Sequence, residues 1–557
     1  MSLVDGIGNT VPEYTTITGK FTQIGNRVFV DILLDGVTGS AGAGTGQVNI
    51  SLPLQASATQ VGDYIIAGHF HNDADEYVLF AQVNPSATTA SLFIQSTATQ
   101  TRIATGDDQN SSANRTIKIN LNYTIEDAGV SGFVTRWTVA GNAAARTIHL
   151  PLSGPVPIYD CYVNWGDGTP ISHVTASSDP NRIHIYAADG TYDVEIRGIC
   201  EGWAFNFSGD ANKITAVVSW GSSSLFGGFN YCYGMFYGCT NLTSLPTSGS
   251  ILASGAGVGI EGFENAFSVC SKLTSVGSAD IFKLHPGVTA RAFTSTFASC
   301  VQLASIPANL FRYNILVSTE GFWLTFQGCS SLVSIPSDLF RYNTQVSTSG
   351  FYSTFAQTAI TTIPSDLFRY NTLVSSDGFR QCFYMCPNLA AIPVDLFRYN
   401  TLVSTNGFRS CFYQCTSLIN VPADLFRYNT AVSDYGFRSA FYSCTSLVSV
   451  PVDLFRYNTA AVTGAFQNTF LGCSKLQLNP NIFYADGEEA TRFLDQSVDL
   501  SSCFDRDSFA GVQGTAPDLW NCNFGSGTPV PSLCFGDAGN SLTSLANYED
   551  IPVVWKT

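Results

Sequence analysis

One five-residue string, Leu-Phe-Arg-Tyr-Asn, occurs six times in this chain, beginning at Leu310, Leu339, Leu367, Leu396, Leu425 and Leu454. Successive copies stand 29 residues apart, with one interval of 28. A period in this range marks a stack in which each repeat is one supersecondary unit that buries its apolar face only against its neighbours. Over this stretch the chain is committed to an extended array with a repetitive surface. Such a surface points to binding ahead of catalysis.

A single unit shows how the residues divide. Cys329-x-x-Leu332-x-x-Ile335-Pro336-x-Asp338-Leu339-Phe340-Arg341-Tyr342-Asn343 is followed by Val346, Gly350, Phe351 and Phe355. Phe351 and Phe355 stand four apart and the next cysteine position three further on, a spacing that predicts one face of a helix. Leu332 to Ile335 predicts a short extended rung, stopped by Pro336, which has no N–H for a ladder. Cys270, Cys300, Cys329, Cys386, Cys415, Cys444 and Cys473 share one repeat position, and Cys382 and Cys411 a second. A cysteine once per turn reads as a buried column of small apolar side chains with free thiols. The second column leaves a cross-bridge open. Around Gln357-Thr358 one unit loses a residue and its cysteine, the kind of irregularity expected at a kink.

This pattern resembles leucine-rich repeats of the BspA-like type, whose units read Phe-x-x-Cys-x-x-Leu-x-x-Ile-Pro-x-x-Leu-Phe. Phe236-x-x-Cys239-x-x-Leu242 and Phe267-x-x-Cys270-x-x-Leu273 are the earliest, less regular units, and the pattern decays after Cys473. The resemblance implies a leucine-rich-repeat solenoid of α/β units over residues 206–480. Residues 481–557 are then expected to form a C-terminal cap, with Cys503-Phe504 a remnant of the repeat.

Upstream, residues 1–127 alternate apolar and polar side chains over short runs such as Val28-Phe29-Val30-Asp31-Ile32-Leu33-Leu34, separated by turns rich in Gly, Asn and Asp. This predicts an all-β sandwich or jelly roll. Phe21-Thr22-Gln23-Ile24-Gly25-Asn26-Arg27-Val28-Phe29-Val30, with the later Ile50-Ser51-Leu52-Pro53-Leu54, resembles the opening of β-sandwich modules in bacteriophage tail and head fibres. The competing reading is an ordinary hairpin with a Gly-Asn turn. The resemblance implies a virion-attachment domain that binds other virion proteins through residues 1–127, in a homo-oligomer. Residues 128–205 hold Asn164-Trp165-Gly166-Asp167-Gly168-Thr169, then Ile185-Tyr186-Ala187-Ala188-Asp189-Gly190-Thr191-Tyr192-Asp193-Val194. That pair resembles the Ig-like β-sandwich of polycystic-kidney-disease (PKD) type, commonly a spacer. The expected fold class is therefore multidomain and β-rich.

Bulk properties narrow the function. At 557 residues the chain is too long for one core and predicts about three or four domains. A net charge of −16 argues against a general nucleic-acid binder, because phosphate binding needs concentrated Lys and Arg. No run approaches the roughly 18 apolar residues of a membrane helix, so no membrane insertion is expected. Met1-Ser2-Leu3-Val4-Asp5-Gly6 has neither the basic start nor the apolar run of a secretory signal, which predicts placement on a virion surface after synthesis in the host cytoplasm.

Catalytic chemistry finds little footing. All six histidines precede residue 286, and no nucleophile-elbow, zinc-protease or phosphate-loop motif stands in a fitting context. Neither enzymatic activity nor a cofactor is expected. Among metal-like clusters, His69 and His71 share a strand face with Asp73 just beyond, and Asp107-Asp108-Gln109-Asn110 offers oxygens suited to calcium. A polar strand end with a solvated turn and an exposed hairpin loop account for the two more simply, so no metal is expected.

The remaining candidates are two columns: Arg312, Arg341, Arg369, Arg398, Arg427 and Arg456, each followed by Tyr313, Tyr342, Tyr370, Tyr399, Tyr428 and Tyr457. Residues 297–480 carry 10 basic and 8 acidic side chains in an otherwise acidic chain. A stacked row of Arg and Tyr fits a host-surface glycan or protein through charge-assisted hydrogen bonds and ring contacts. Equally, each Arg has an Asp three residues before it in five of six copies, which predicts internal pairing. The expected function is adhesion by a phage tail-fibre or capsid-decoration protein. The alternatives are a bacterial cell-surface adhesin of the BspA-like type and a capsule-degrading depolymerase.

Overall fold

A computed structural model describes residues 131–154, 157–253, 262–505, 513–536 and 545–557 in full, and upstream of these the backbone of eight strands. The protein is β-rich with almost no helix; among the described residues the one α-helix is the single turn Val553–Lys556. The chain divides into two compact units, Met1–Gly132 and Phe133–Thr557.

The first unit contains β1 (Glu13–Ile24), β2 (Arg27–Thr38), β3 (Asn49–Ser51), β4 (Tyr64–Asn72), β5 (Asp75–Val83), β6 (Thr89–Ser96), β7 (Thr101–Ile103) and β8 (Ile117–Thr124). They form one sheet in the order β1-β2-β8-β4-β5-β6-β3, with β7 also on β6 and every pair antiparallel. The fibre-like motif falls on the β1–β2 hairpin, where Ile24 stands opposite Arg27.

The second unit opens with β9 (Phe133–Val139), β10 (Thr147–His149), β11 (Tyr159–Asn164), β12 (Ser172–Val174), β13 (Ile183–Ile185), β14 (Gly190–Cys200) and β15 (Ile214–Trp220). Five of them pair in the order β12-β11-β14-β9-β15, and β10 pairs with β13. Along β9 the side chains of Phe133, Thr135, Trp137 and Val139 are buried in strict alternation, the period of a strand with one face inward. The Trp-Gly-Asp-Gly-Thr turn is tied in twice: Tyr186 donates its hydroxyl to the Trp165 carbonyl at 2.9 Å, and His184 lies on the Trp165 ring with Nε2 2.7 Å from Asp167.

Strand β15 lies past residue 205. One edge pairs with β9; on the other, Thr243 donates to the Thr215 carbonyl and Val217 to the Ser244 carbonyl. The sheet thus runs directly into the first rung of the repeats, and one hydrophobic core continues from Phe133 to Trp555.

Within the repeats the expected helix is absent. From Ser347 to Gln357 the chain is a ribbon of overlapping β-turns. Gly350, Tyr352, Thr354 and Ala356 donate to the carbonyls three residues back, while Ser349, Phe351, Ser353, Phe355 and Gln357 donate to the next repeat, at Ser376, Gly378, Arg380, Cys382 and Tyr384. The carbonyls of Thr348, Gly350, Tyr352, Thr354 and Ala356 accept from the preceding repeat in the same way. Every fourth residue is left-handed: Ser349, Ser353 and Gln357 have φ of 52°, 52° and 59°. An α-helix uses its N–H groups internally; this ribbon keeps half of them for its neighbours, and the Ser, Asn, Asp and Gln at the left-handed positions favour turns. A backbone period of four still puts Phe351 and Phe355 on the inside, where both are fully buried.

Stacking the ribbons aligns the aromatic core. Phe293, Phe322, Phe351, Phe379, Phe408, Phe437 and Phe466 form one ladder with centroids 5.7–5.8 Å apart and planes within 10°. A second ladder includes Phe326, Phe355 and Phe383 and crosses the short unit at Thr358 without a break, at 5.7 and 5.9 Å. It continues through Phe470, Phe504 and Phe535 into residues 481–557, where Trp555 closes it. Gly350 is required by close approach, because a Cβ there would stand 2.2 Å from Val346 Cγ1.

All sixteen cysteines are buried free thiols. In the main column each Sγ–H donates to a phenylalanine carbonyl of the preceding repeat, as Cys415 does to Phe383 at 3.2 Å and Cys444 to Phe412 at 3.1 Å. Where the column lacks its cysteine, the Thr358 hydroxyl donates to the Phe355 carbonyl at 2.9 Å. Burial pushes the Cys386 thiol up to about 11 and Cys300 and Cys473 to about 12.

Candidate functional site

The asparagine of Leu-Phe-Arg-Tyr-Asn faces inward. Asn343, Asn371, Asn400, Asn429 and Asn458 each donate Nδ2 to two carbonyls of the previous repeat, for Asn400 those of Phe368 at 3.0 Å and Asn371 at 2.9 Å. At one end Arg492 takes over, its guanidinium bonding the carbonyls of Phe483, Phe455 and Asn458. At the other end His285 holds the asparagine position, within Ile281-Phe282-Lys283-Leu284-His285, and donates Nε2–H to the Ile251 carbonyl at 3.1 Å. Burial pushes this imidazole down to about 4.

With Leu and Phe in the core and Asn in this ladder, only Arg and Tyr face outward. Their geometry is an alternating file. Arg341 lies over Tyr370 at 5.3 Å, Arg369 over Tyr399 at 5.1 Å, Arg398 over Tyr428 at 5.1 Å and Arg427 over Tyr457 at 4.9 Å. Each of Arg341, Arg369 and Arg398 also lies within 5.9 Å of its own tyrosine, Tyr342, Tyr370 and Tyr399. The carboxylates follow the same register: Asp338, Asp366, Asp395, Asp424 and Asp453 stand 3.1–3.7 Å from their arginines. Arg312, whose unit has Asn309 in the acid position, reaches across to Asp280 at 2.6 Å and packs on Tyr313, while Arg456 adds Glu488 and packs on Tyr457. Hydrogen bonds that Arg369, Arg398 and Arg427 donate to Asp366, Asp395 and Asp424 hold each guanidinium pKa above its ordinary value. All twelve predicted site residues are therefore brought into one column, and each arginine there is already paired.

A second outward column escaped the sequence reading. Phe379-Arg380-Gln381-Cys382-Phe383-Tyr384 recurs, with serine for Gln381, at Phe408 to Tyr413 and, with Ala440 also for cysteine, at Phe437 to Tyr442. On a period-four ribbon the Arg and Tyr of each unit share the outer face. Tyr384, Tyr413 and Tyr442 stack at 4.8 and 4.5 Å, and Arg380 lies over Tyr352 at 4.9 Å, which itself stacks on Trp323. The recurring Phe-Arg-x-x-Phe-Tyr, with Arg and Tyr four apart, was the signal available in the sequence.

Among the described residues no group of three or more His, Cys, Asp or Glu is placed to hold a metal ion. His69 and His71 fall on β4, but their side chains, like Asp73 and the Asp107–Asn110 segment, lie outside the described residues. No helix of the described chain is long and apolar enough to cross a membrane. Comparison with family models, curated proteins and solved structures finds no match.

Proposed function

We propose that this chain is a bacteriophage virion structural protein, a tail fibre or capsid decoration, that anchors through its first unit and displays the repeats for adhesion to a host surface. On this reading the repeats are a BspA-like leucine-rich-repeat solenoid, the β9–β15 region is a PKD-type Ig-like spacer and residues 1–127 meet other virion proteins.

The observation that carries the reading is the register of the outer columns. From Phe311 to Asn458 successive coils repeat the same inward phenylalanines and asparagine, with Thr358 for cysteine in one, so the outward Arg and Tyr recur once per coil along one face. A surface of that kind suits many weak contacts, and multivalent display on a particle multiplies them. The motif at Phe21–Val30, lying on the β1–β2 hairpin, supports the attachment role.

Two measurements test the two halves. Particles assembled with a chain lacking residues 1–127 should carry none of it, by immunogold imaging; undiminished incorporation would refute the attachment role. Purified full-length protein should bind host cells and compete with particles for them; absence of competition removes adhesion.

A further inference from the structure

The two arginine columns differ in charge balance. In the Leu-Phe-Arg-Tyr-Asn column each arginine has a carboxylate partner. In the second column Arg380 meets Asp377 at 3.1 Å, but among the described residues Arg409 and Arg438 form no ion pair. Arg409 donates to Asn406 Oδ1 at 3.4 Å, and both guanidiniums lie over the Tyr435 ring, at 6.0 and 5.7 Å. Burial, then the like charges of Arg380 and Arg438 in adjacent coils, depress the Arg409 pKa below its ordinary value. Three half-buried cations, stacked at a coil spacing of about 4.8 Å with one ion pair among them, repel one another and favour an added anion.

The surroundings narrow the anion. Four residues along the same ribbon, the Tyr384–Tyr413–Tyr442 ladder makes a wall beside the arginines, each ring an apolar body with a polar tip. Guanidinium groups are planar forks that match carboxylates bidentately. Contacts recur along the stack axis, once per coil, which suits a linear polymer better than a compact ligand.

We propose that Arg380, Arg409 and Arg438, with the tyrosine wall, form a track for a linear carboxylated polysaccharide laid along the stack, its acid groups meeting successive coils. The proposal rests on the adhesion reading and names its ligand. It also shifts the contact from the paired arginine column to the unbalanced one.

The test uses full-length protein against immobilised polygalacturonate by biolayer interferometry, with adhesion to host cells measured in parallel. Wild type should bind the polymer, lose affinity as salt is raised and ignore the carboxyl-reduced polymer. Arg409→Gln combined with Arg438→Gln should bind at least ~10-fold more weakly, as loss of charge-assisted hydrogen bonds requires. Lys272→Gln combined with Lys475→Gln, two exposed cations outside both arginine columns, should stay within about 2-fold of wild type. The proposal is overturned by no wild-type binding, by equal binding of the reduced polymer, by tighter binding of inorganic polyphosphate, or by an unchanged Arg409/Arg438 variant. The salt and reduced-polymer arms need wild type alone, so misfolding of a variant does not rescue the idea. Protein that adheres to cells but ignores polygalacturonate removes the ligand assignment only; protein that does not adhere to cells removes the adhesion reading.

Discussion

His285 makes the repeats sensitive to acid, and the size of the effect follows from its burial. Its side chain is 1% exposed, its Nε2–H is used by Ile251, and Nδ1 has no partner among the described residues. The folded protein holds the ring neutral down to about 4, whereas an unfolded chain protonates it near 6.5. Below pH 6.5 the unfolded state therefore binds a proton that the folded state refuses. Stability present above pH 6.5 is lost as pH falls towards 4, by about 3 kcal/mol for a shift of this size. His285→Asn installs the residue that fills this position in the next six units, whose amide does not titrate. We expect urea midpoints of the two proteins, followed by tryptophan fluorescence (five of the seven tryptophans lie at or before Trp323), to diverge between pH 6.5 and 4, with wild type falling faster. The other five histidines are common to both proteins and cancel. A difference that stays constant from pH 8 to 4.5 would refute the argument.

Three further outcomes are expected. Phe397→Ala, removing a fully buried ring that packs on Phe368, Phe379, Phe408, Phe412 and Phe426, should cost about 3–5 kcal/mol in urea unfolding; a cost below about 1 kcal/mol contradicts the ladder. Ellman's reagent should find no fast-reacting thiol in native protein and all sixteen after denaturation, so one rapid native thiol refutes the buried column. Leu324 holds a left-handed φ of 58° at a half-buried site, and Leu324→Asn should raise stability by up to about 1 kcal/mol; a clear loss would show that its packing outweighs the strain.

Much of the repeat could be read from residue types alone. The period, the buried cysteines and the inward Leu and Phe follow from spacing, because only neighbouring copies can bury them. The helix did not, because apolar residues at i and i+4 satisfy a period of 3.6 and a period of four almost equally over two turns. Ser349, Ser353 and Gln357, and their counterparts Asp377, Gln381, Asn406 and Ser410, carried the missing information as turn formers at every fourth place. Asparagine is a turn former by propensity, yet in Leu-Phe-Arg-Tyr-Asn its Nδ2 serves two carbonyls inside the stack, a demand visible only once neighbouring coils are in place. The same holds for β15, which no local pattern distinguishes from the rungs it supports. At the candidate site, the Asp-to-Arg spacing foretold the ion pairs, while the charge imbalance at Arg409 and Arg438 needed coil registry to become apparent.

The ribbon's alternate N–H groups have a consequence for reach. Because each coil offers the next the same row of donors and acceptors, a whole unit can be gained or lost by recombination between near-identical copies without turning any side chain inside out. Each such event would lengthen or shorten the stack by one step of about 4.8 Å, leaving the β15 edge and the Trp555 closure as they are. Length, on this architecture, is inherited in integers.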